Sequence, residues 1–192
     1  MSKPDPSPLA HQPLVLLEGI GARLIDLPRG ICMTLVLLWA GGLWGLSAQP
    51  GIRILEDESF FEAWTFNTGH AFLYGILTLL CVACLPRRDG WVLLDRIHVL
   101  GVLALVMSYG LLDEWHQSWV PDRSASGLDL LTDLVGVVAT LAVIRGLGST
   151  TAMSRVEQAG RVRRMLLLGF VLSWGAGMAA TLLDAGLEAG VA

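Results

Sequence analysis

Charged side chains are scarce in this sequence, and several long stretches contain none. Asp, Glu, Lys and Arg make up 16% of its 192 residues, whereas 54% are hydrophobic and the mean hydropathy is +0.61. Soluble domains typically carry about 25% charged residues and interrupt their apolar runs more often. The shortage of charge therefore excludes an ordinary soluble domain. Since the sequence shows no stripe of basic residues either, we expect no nucleic-acid partner.

Cysteines are also few, and their pattern excludes a disulfide framework. Of the three cysteines, Cys81 and Cys84 form a C-x-x-C pair inside a continuous apolar segment, with no second pair to complete a zinc site. The sequence also lacks an H-E-x-x-H pair, a glycine-rich phosphate loop and a nucleophile elbow. We interpret the cysteines as packing residues and predict no cofactor and no bound metal.

The chain does contain five apolar segments of the length needed to cross a bilayer, which is roughly 17–25 residues. They cover residues 31–48, 67–85, 91–112, 128–144 and 165–183. These segments predict an all-α, polytopic membrane helix bundle with about five transmembrane helices over residues 31–183. Residues 1–30 precede the bundle, and residues 184–192 form a short tail after it.

The basic residues are distributed unevenly between the predicted loops. Eleven of the thirteen Lys and Arg residues fall in the N-terminal segment, the second-to-third loop and the fourth-to-fifth loop. Only Arg53 and Arg123 fall on the other side. Because short cytoplasmic loops are rich in Lys and Arg, this asymmetry predicts a cytoplasmic N-terminus and an external C-terminal tail.

Two segments outside the spans have distinctive patterns. Residues 13–27 mix apolar with charged side chains, which fits either an amphipathic helix on the inner surface or a flexible tail. The outer loop over residues 49–66 ends in an aromatic group, which we interpret as an anchor at the membrane surface. That group consists of Phe60, Phe61, Trp64 and Phe66.

Polar residues gather at the predicted outer ends of three helices. Asp129 and Asp133 share one face of the fourth helix because they are four residues apart, and His70 and Tyr74 do so in the second. Ionisable groups just inside a membrane are costly unless they pair or face a wet cavity, and so they are candidates for function. The candidate ligand-binding residues are His70, Tyr74, Asp113, Glu114, Gln117, Arg123, Asp129 and Asp133. No catalytic residue is assigned.

Structural roles are open alternatives for these residues. Asp113, Asp122 and Asp129 also fit solvated loop positions. Glu114 with Arg123 also fits an ion pair that fixes the loop. Some of the polar residues are of types that ligate divalent metals, but the spacing of such ligands is too permissive to identify a site. These are Asp113, His116, Asp129 and Asp133.

The polar segment also carries a family resemblance. It reads D-E-W-H-Q-S-W-V-P-D-R over residues 113–123 and is followed by Asp129, Asp133 and Gly136. It resembles the signature of the VanZ-like membrane proteins: an E-x-x-Q near a helix end, a Pro-x-Arg turn, and a D-x-x-x-N-x-x-G that opens the next helix. That signature includes an upstream histidine followed by aromatic residues, as in His70 and Tyr74. The resemblance covers about residues 66–145.

The sequence departs from the family pattern in two places. Asp133 stands where the family has Asn, and Phe66-Asn67 replaces an Asp-Lys pair before the histidine. The lost lysine and the gained acid make the site more acidic. They weaken the expectation of an anionic ligand.

The resemblance implies a small multi-pass protein of the bacterial cytoplasmic (inner) membrane. The family is named for a member linked to resistance to teicoplanin, a glycopeptide that acts on outer-leaflet cell-wall precursors. We therefore expect an outward-facing polar pocket that binds a membrane lipid or a lipid-linked cell-wall precursor, or an accessory subunit of a larger complex with other membrane proteins. The alternative is a membrane-embedded hydrolase or transferase that acts on a lipid substrate at the outer interface.

The charge asymmetry makes the topology testable. Reporters fused after Arg88 and after Arg155 should read as cytoplasmic, and those fused after Asp57 and after Asp122 as external, because the basic loops stay inside. Paired alkaline phosphatase and fluorescent-protein fusions measure this directly. An external signal after Arg155 would contradict the five-span arrangement.

Overall fold

The computed structural model describes residues 12–49, 60–88, 90–121, 126–148 and 155–191. Six helices and two short strands occupy this part of the chain. In order they are α1 (Gln12–Asp26), α2 (Arg29–Ser47), α3 (Phe60–Ala83), β1 (Arg87–Arg88), β2 (Trp91–Val92), α4 (Arg96–Gln117), α5 (Gly127–Leu147) and α6 (Arg155–Val191).

Five of the helices, α2 to α6, are long and apolar enough to cross a membrane, counted over the described residues. Their outward faces carry large apolar side chains, with Leu37 for example 71% exposed. Such a surface is unfavourable in water but suits lipid. The predicted all-α bundle with five membrane-spanning helices is confirmed, and the chain is built as a multi-pass membrane protein.

The prediction that the aromatic group ends an outer loop is wrong. Helix α3 begins at Phe60, seven residues before the predicted span, so the aromatic residues lie on its first turns. The Trp64 Nε1 group donates to the carbonyl oxygen of Trp174 on α6 at 3.1 Å, and the two rings pack edge-on with centroids 4.8 Å apart. These tertiary contacts stabilise a helical turn that hydropathy alone assigns to the loop.

The third predicted span starts too early. Residues 91–95 do not belong to a helix; instead, β1 and β2 form an antiparallel hairpin in which Arg87 pairs with Val92 and Arg88 with Trp91. Gly90 lies in its turn with a φ of 78°, a conformation that a residue without Cβ adopts freely. Helix α4 then starts with Asp95 as its N-cap, which accepts a hydrogen bond from the backbone N–H of His98 at 3.0 Å.

Two helices continue beyond their predicted ends. Helix α4 runs to Gln117 rather than to 112, so the acidic motif lies on the helix and not in a loop. Helix α6 runs from Arg155 to Val191 and includes part of the predicted tail. Hydropathy places the ends of a span where polar residues begin, whereas the backbone stays helical wherever those residues find partners.

Helix α1 is helical over Gln12–Asp26, which favours the amphipathic helix over the flexible tail for this segment. It packs against α6 and β2, and Ile25 is buried. Arg87 holds its C-terminal end by donating from Nη2 to the carbonyl oxygen of Leu27 at 2.8 Å. An apolar cavity of about 580 Å³ lies between α1, α3, α5 and α6.

Helix α3 lies at the centre of the bundle, with α2, α4, α5 and α6 packed around it. Its closest approach is to α5, where Gly136 faces the backbone of Ala71: a Cβ at residue 136 would lie 2.0 Å from the Ala71 carbonyl oxygen. Small residues let membrane helices approach closely and gain van der Waals contact. This crossing sets the distance between the two helices.

The close crossing of α3 and α5 predicts that alanine destabilises the protein more at position 136 than at a glycine position with open space around it. Gly136→Ala should destabilise the bundle by about 1–3 kcal/mol, because the added methyl group meets backbone and forces α3 and α5 apart. Gly101→Ala is the matched control, since nothing lies within 4 Å of a Cβ there. Thermal unfolding in detergent measures both. Equal midpoints for the two variants would show that the crossing tolerates separation.

Candidate ligand-binding site

The candidate residues lie at one end of the bundle, where α3, α4 and α5 meet. His70 is on the third turn of α3, Glu114 is on the last turn of α4, and Asp129 and Asp133 are on the first two turns of α5. At a rise of about 1.5 Å per residue, all of them lie within roughly 15 Å of the helix ends. The connection from α4 to α5 brings these ends together.

The contact between His70 and Asp133 is at the centre of this cluster. The Nδ1 atom of His70 lies 3.2 Å from Oδ1 of Asp133, whose side chain is only 1% exposed. An ionised carboxylate only accepts hydrogen bonds, so Nδ1 of His70 is the donor in this contact when Asp133 is ionised. The Nε2 atom faces Asp129, with 4.0 Å between Nε2 and Oδ2.

Glu114 connects the cluster to the start of α5. Its Oε2 atom accepts a hydrogen bond of 2.8 Å from the backbone N–H of Ser126. Ser126 is also the N-cap of α5, where its hydroxyl accepts from the N–H of Leu128 at 3.2 Å. The Glu114 side chain is therefore fixed by the start of α5.

A second pair, Asp113 and Gln117, extends the cluster along α4. Gln117 Nε2 donates to Asp113 Oδ2 at 3.0 Å, and the same nitrogen is 3.5 Å from the hydroxyl oxygen of Ser47 on α2. All three residues are buried. These hydrogen bonds connect α4 to α2 at the same end of the bundle.

Three buried polar atoms of the cluster have no hydrogen-bond partner within the part of the chain that the structure describes. They are Oδ1 of Asp113, Oδ2 of Asp133 and the hydroxyl oxygen of Tyr74. Leaving a buried polar atom unpaired costs about 1–3 kcal/mol, and more for a charged group. These atoms therefore mark positions where a bound molecule would be stabilised.

Glycine makes room for this arrangement on α4. A Cβ at Gly110 would lie 3.0 Å from Asp133 Oδ2 and 3.2 Å from Cε1 of Tyr74. The rings of Tyr74 and His70 are nearly parallel, at 9° with centroids 6.3 Å apart. A larger residue at position 110 would press on both the carboxylate and the tyrosine.

Three side chains of the cluster could hold a metal ion. One donor atom each from His70, Glu114 and Asp129 lies within 4.8 Å of the other two. Only Asp129 also belongs to the four potential metal ligands that the sequence suggested. His116 lies elsewhere, stacked on Trp44 with ring centroids 4.0 Å apart.

The structure brings together seven of the eight candidate residues, and Arg123 lies outside the described residues, as does Asp122. The ion pair proposed between Glu114 and Arg123 therefore stays a prediction. The interpretation of Asp113 and Asp129 as solvated loop residues is wrong, because both are buried on helices. Their neighbours in the bundle shield them from solvent.

Sequence reasoning missed three residues that shape the site: Ser47, Gly110 and Ser126. A serine just before an apolar helix is an N-cap signal, and it could have identified Ser126. Gly110 lies four residues before Glu114 and therefore on the same helix face. A glycine on that face could have indicated that another helix approaches closely there. Ser47 gave no signal, because only the fold brings α2 near α4.

Comparison with known proteins yields no relative. Neither a protein-family model, nor a curated protein, nor a solved structure matches this chain. The VanZ-like resemblance consequently rests on the motif residues alone.

The hydrogen bond between Asp113 and Gln117 predicts that loss of the Gln117 amide lowers the stability of the protein. Gln117→Leu should lower stability by about 1–3 kcal/mol, because it takes away the hydrogen bond to a buried carboxylate. Ser118→Ala, at the exposed next position, should have less effect. Thermal unfolding of both variants in the same detergent measures the difference. A Gln117→Leu protein as stable as Ser118→Ala would show that the carboxylate is satisfied in another way.

Proposed function

We propose that this chain is a VanZ-like protein of the bacterial inner membrane that binds a membrane lipid or lipid-linked envelope precursor through the polar cluster of α3, α4 and α5. The observation that carries the proposal is the set of unpaired buried atoms. Asp113 and Asp133 each keep one carboxylate oxygen without a partner among the described residues, although both side chains are buried. A ligand that offers hydrogen-bond donors would satisfy them.

The depth and exposure of the cluster support a ligand from the membrane. Asp133 is enclosed, whereas the side chains of His70 and Asp129 are 15% and 10% exposed. The site is thus reached through His70 and Asp129, close to the ends of the spans. A headgroup lies at that depth while its acyl chains remain in the bilayer.

The motif and the charge pattern support the remainder of the proposal. The E-x-x-Q of the signature is present as Glu114 and Gln117, and both side chains are buried in the cluster. The asymmetry of basic residues favours an outward orientation for this end of the bundle. An outward site near the membrane surface suits precursors of the cell wall.

Lipid retention tests the proposal. The protein is extracted in polymer-bounded native nanodiscs, and the bound lipids are measured by mass spectrometry for wild type, His70→Gln and His98→Gln. His98 is the matched control, since it lies at the opposite end of α4. We expect His70→Gln to retain roughly tenfold less of one specific lipid class, because a hydrogen bond to a charged group contributes about 1.5–3 kcal/mol.

Two outcomes are decisive. Specific enrichment of a lipid in wild type and His98→Gln, but not in His70→Gln, supports ligand binding. The same bulk lipid composition in all three proteins contradicts it.

A second candidate function is a hydrolase or transferase that acts on such a lipid. The proximity of His70, Glu114 and Asp129 favours it, since these residue types carry out acid–base and metal-assisted hydrolysis. Incubating the purified protein with the lipid identified above, and following its conversion by mass spectrometry, separates the two. Turnover that His70→Gln abolishes would establish catalysis, and an unchanged lipid would leave binding as the function.

A further inference from the structure

We infer that His70, Glu114 and Asp129 form a binding site for one divalent cation of the zinc or manganese class. The inference concerns the cation alone and does not depend on the lipid ligand proposed above. It starts from the three donor atoms within 4.8 Å of one another, which come from three different helices. Convergence of one donor per helix is how helical bundles build metal sites in their cores.

The distance between His70 and Asp129 fits coordination of a single ion. Ligand bonds to such cations are about 2.0–2.2 Å long, so that the donors on one ion lie roughly 3 to 4.4 Å apart. The Nε2 atom of His70 and Oδ2 of Asp129 are 4.0 Å apart, which is within that range. The third donor, a carboxylate oxygen of Glu114, lies within 4.8 Å of the other two, so the three groups would close by a few tenths of an ångström around the ion.

The imidazole of His70 is already oriented as a metal ligand. Its Nδ1 atom is 3.2 Å from the Asp133 carboxylate, so that Nε2 is the nitrogen that would coordinate, after release of any proton that it carries. A histidine that ligates a metal nearly always donates its other N–H to a carboxylate, a carbonyl or water. Asp133 would therefore be a positioning residue that acts through His70.

Two further observations are independent of the donor distances. Asp133 is fully buried, and its second oxygen has no partner among the residues described, so its negative charge is incompletely balanced by His70. Glu114 is held in place by the N–H of Ser126, which fixes a ligand side chain before any ion binds. A cation close to these carboxylates would offset the cost of burying them.

The donor set limits the metal. One imidazole and two carboxylates suit zinc and manganese better than soft ions, which prefer thiolates, or magnesium and calcium, which prefer oxygen alone. Three protein ligands also leave a coordination position open, as in catalytic rather than structural zinc sites. The position would be reached by way of His70 and Asp129, whose side chains are partly accessible at 15% and 10%.

Metal binding by the full-length protein tests the inference. The chelator-treated protein in detergent is titrated with Zn²⁺ by calorimetry and with Co²⁺ by visible absorption. We expect about one ion per chain. His70→Gln, Glu114→Gln and Asp129→Asn should lose binding, and Asp133→Asn should weaken it roughly 10–100-fold through the orientation of His70. His98→Gln should bind as wild type, because it lies at the other end of α4.

The outcomes separate this inference from the proposed function. Circular dichroism and thermal unfolding verify that each variant folds. If a variant does not fold, the number of ions bound per wild-type chain alone tests the inference. A wild-type protein that binds neither Zn²⁺ nor Co²⁺ overturns the inference, even where lipid is retained. Equal affinity of His70→Gln and His98→Gln overturns it as well, because the metal would then bind elsewhere.

Discussion

A carboxylate buried inside a membrane-spanning helix needs a partner within the protein, and Asp133 finds it in His70. The contact of 3.2 Å requires α3 and α5 to lie very close together. The glycine at position 136 permits this, because the backbone of Ala71 occupies the space where any larger side chain would begin. Gly110 likewise admits α4 to the same carboxylate. The small residues and the polar cluster are therefore one arrangement, since the close approach of the helices is what places His70 against Asp133.

Hydropathy predicted the number of spans correctly because five apolar runs have few alternatives to crossing a membrane. It failed at their ends. Asp113, Glu114 and Gln117 count as polar in any hydropathy scale, yet they stay on α4 and inside the protein. The free-energy cost of burying these side chains depends on their partners in other helices. A hydropathy average over neighbouring residues contains no information on those partners. The start of α3 was missed for the same reason, because α6 supports it through Trp64.

Residue type and spacing along the chain predicted part of the candidate site. A separation of four residues placed His70 with Tyr74 and Asp129 with Asp133, and the structure shows both pairs in one cluster. Spacing along the chain does not reveal which helices meet. It therefore grouped His116 with the acids, although His116 stacks on Trp44. It also could not show that Glu114 bonds to the backbone of Ser126.

The acidic character of the cluster and a lipid ligand are in apparent conflict, because phosphate groups repel carboxylates. The divalent cation proposed on His70, Glu114 and Asp129 would remove the conflict, because it would offset the negative charge and offer an open position to an oxygen of the headgroup. Such a cation would also explain why position 133 carries Asp where the VanZ-like signature has Asn. An ionised Asp133 accepts from His70 more strongly than an amide would, and so it would raise the basicity of the nitrogen proposed to bind the metal. A more acidic site is thus compatible with an anionic lipid when a metal ion mediates the contact.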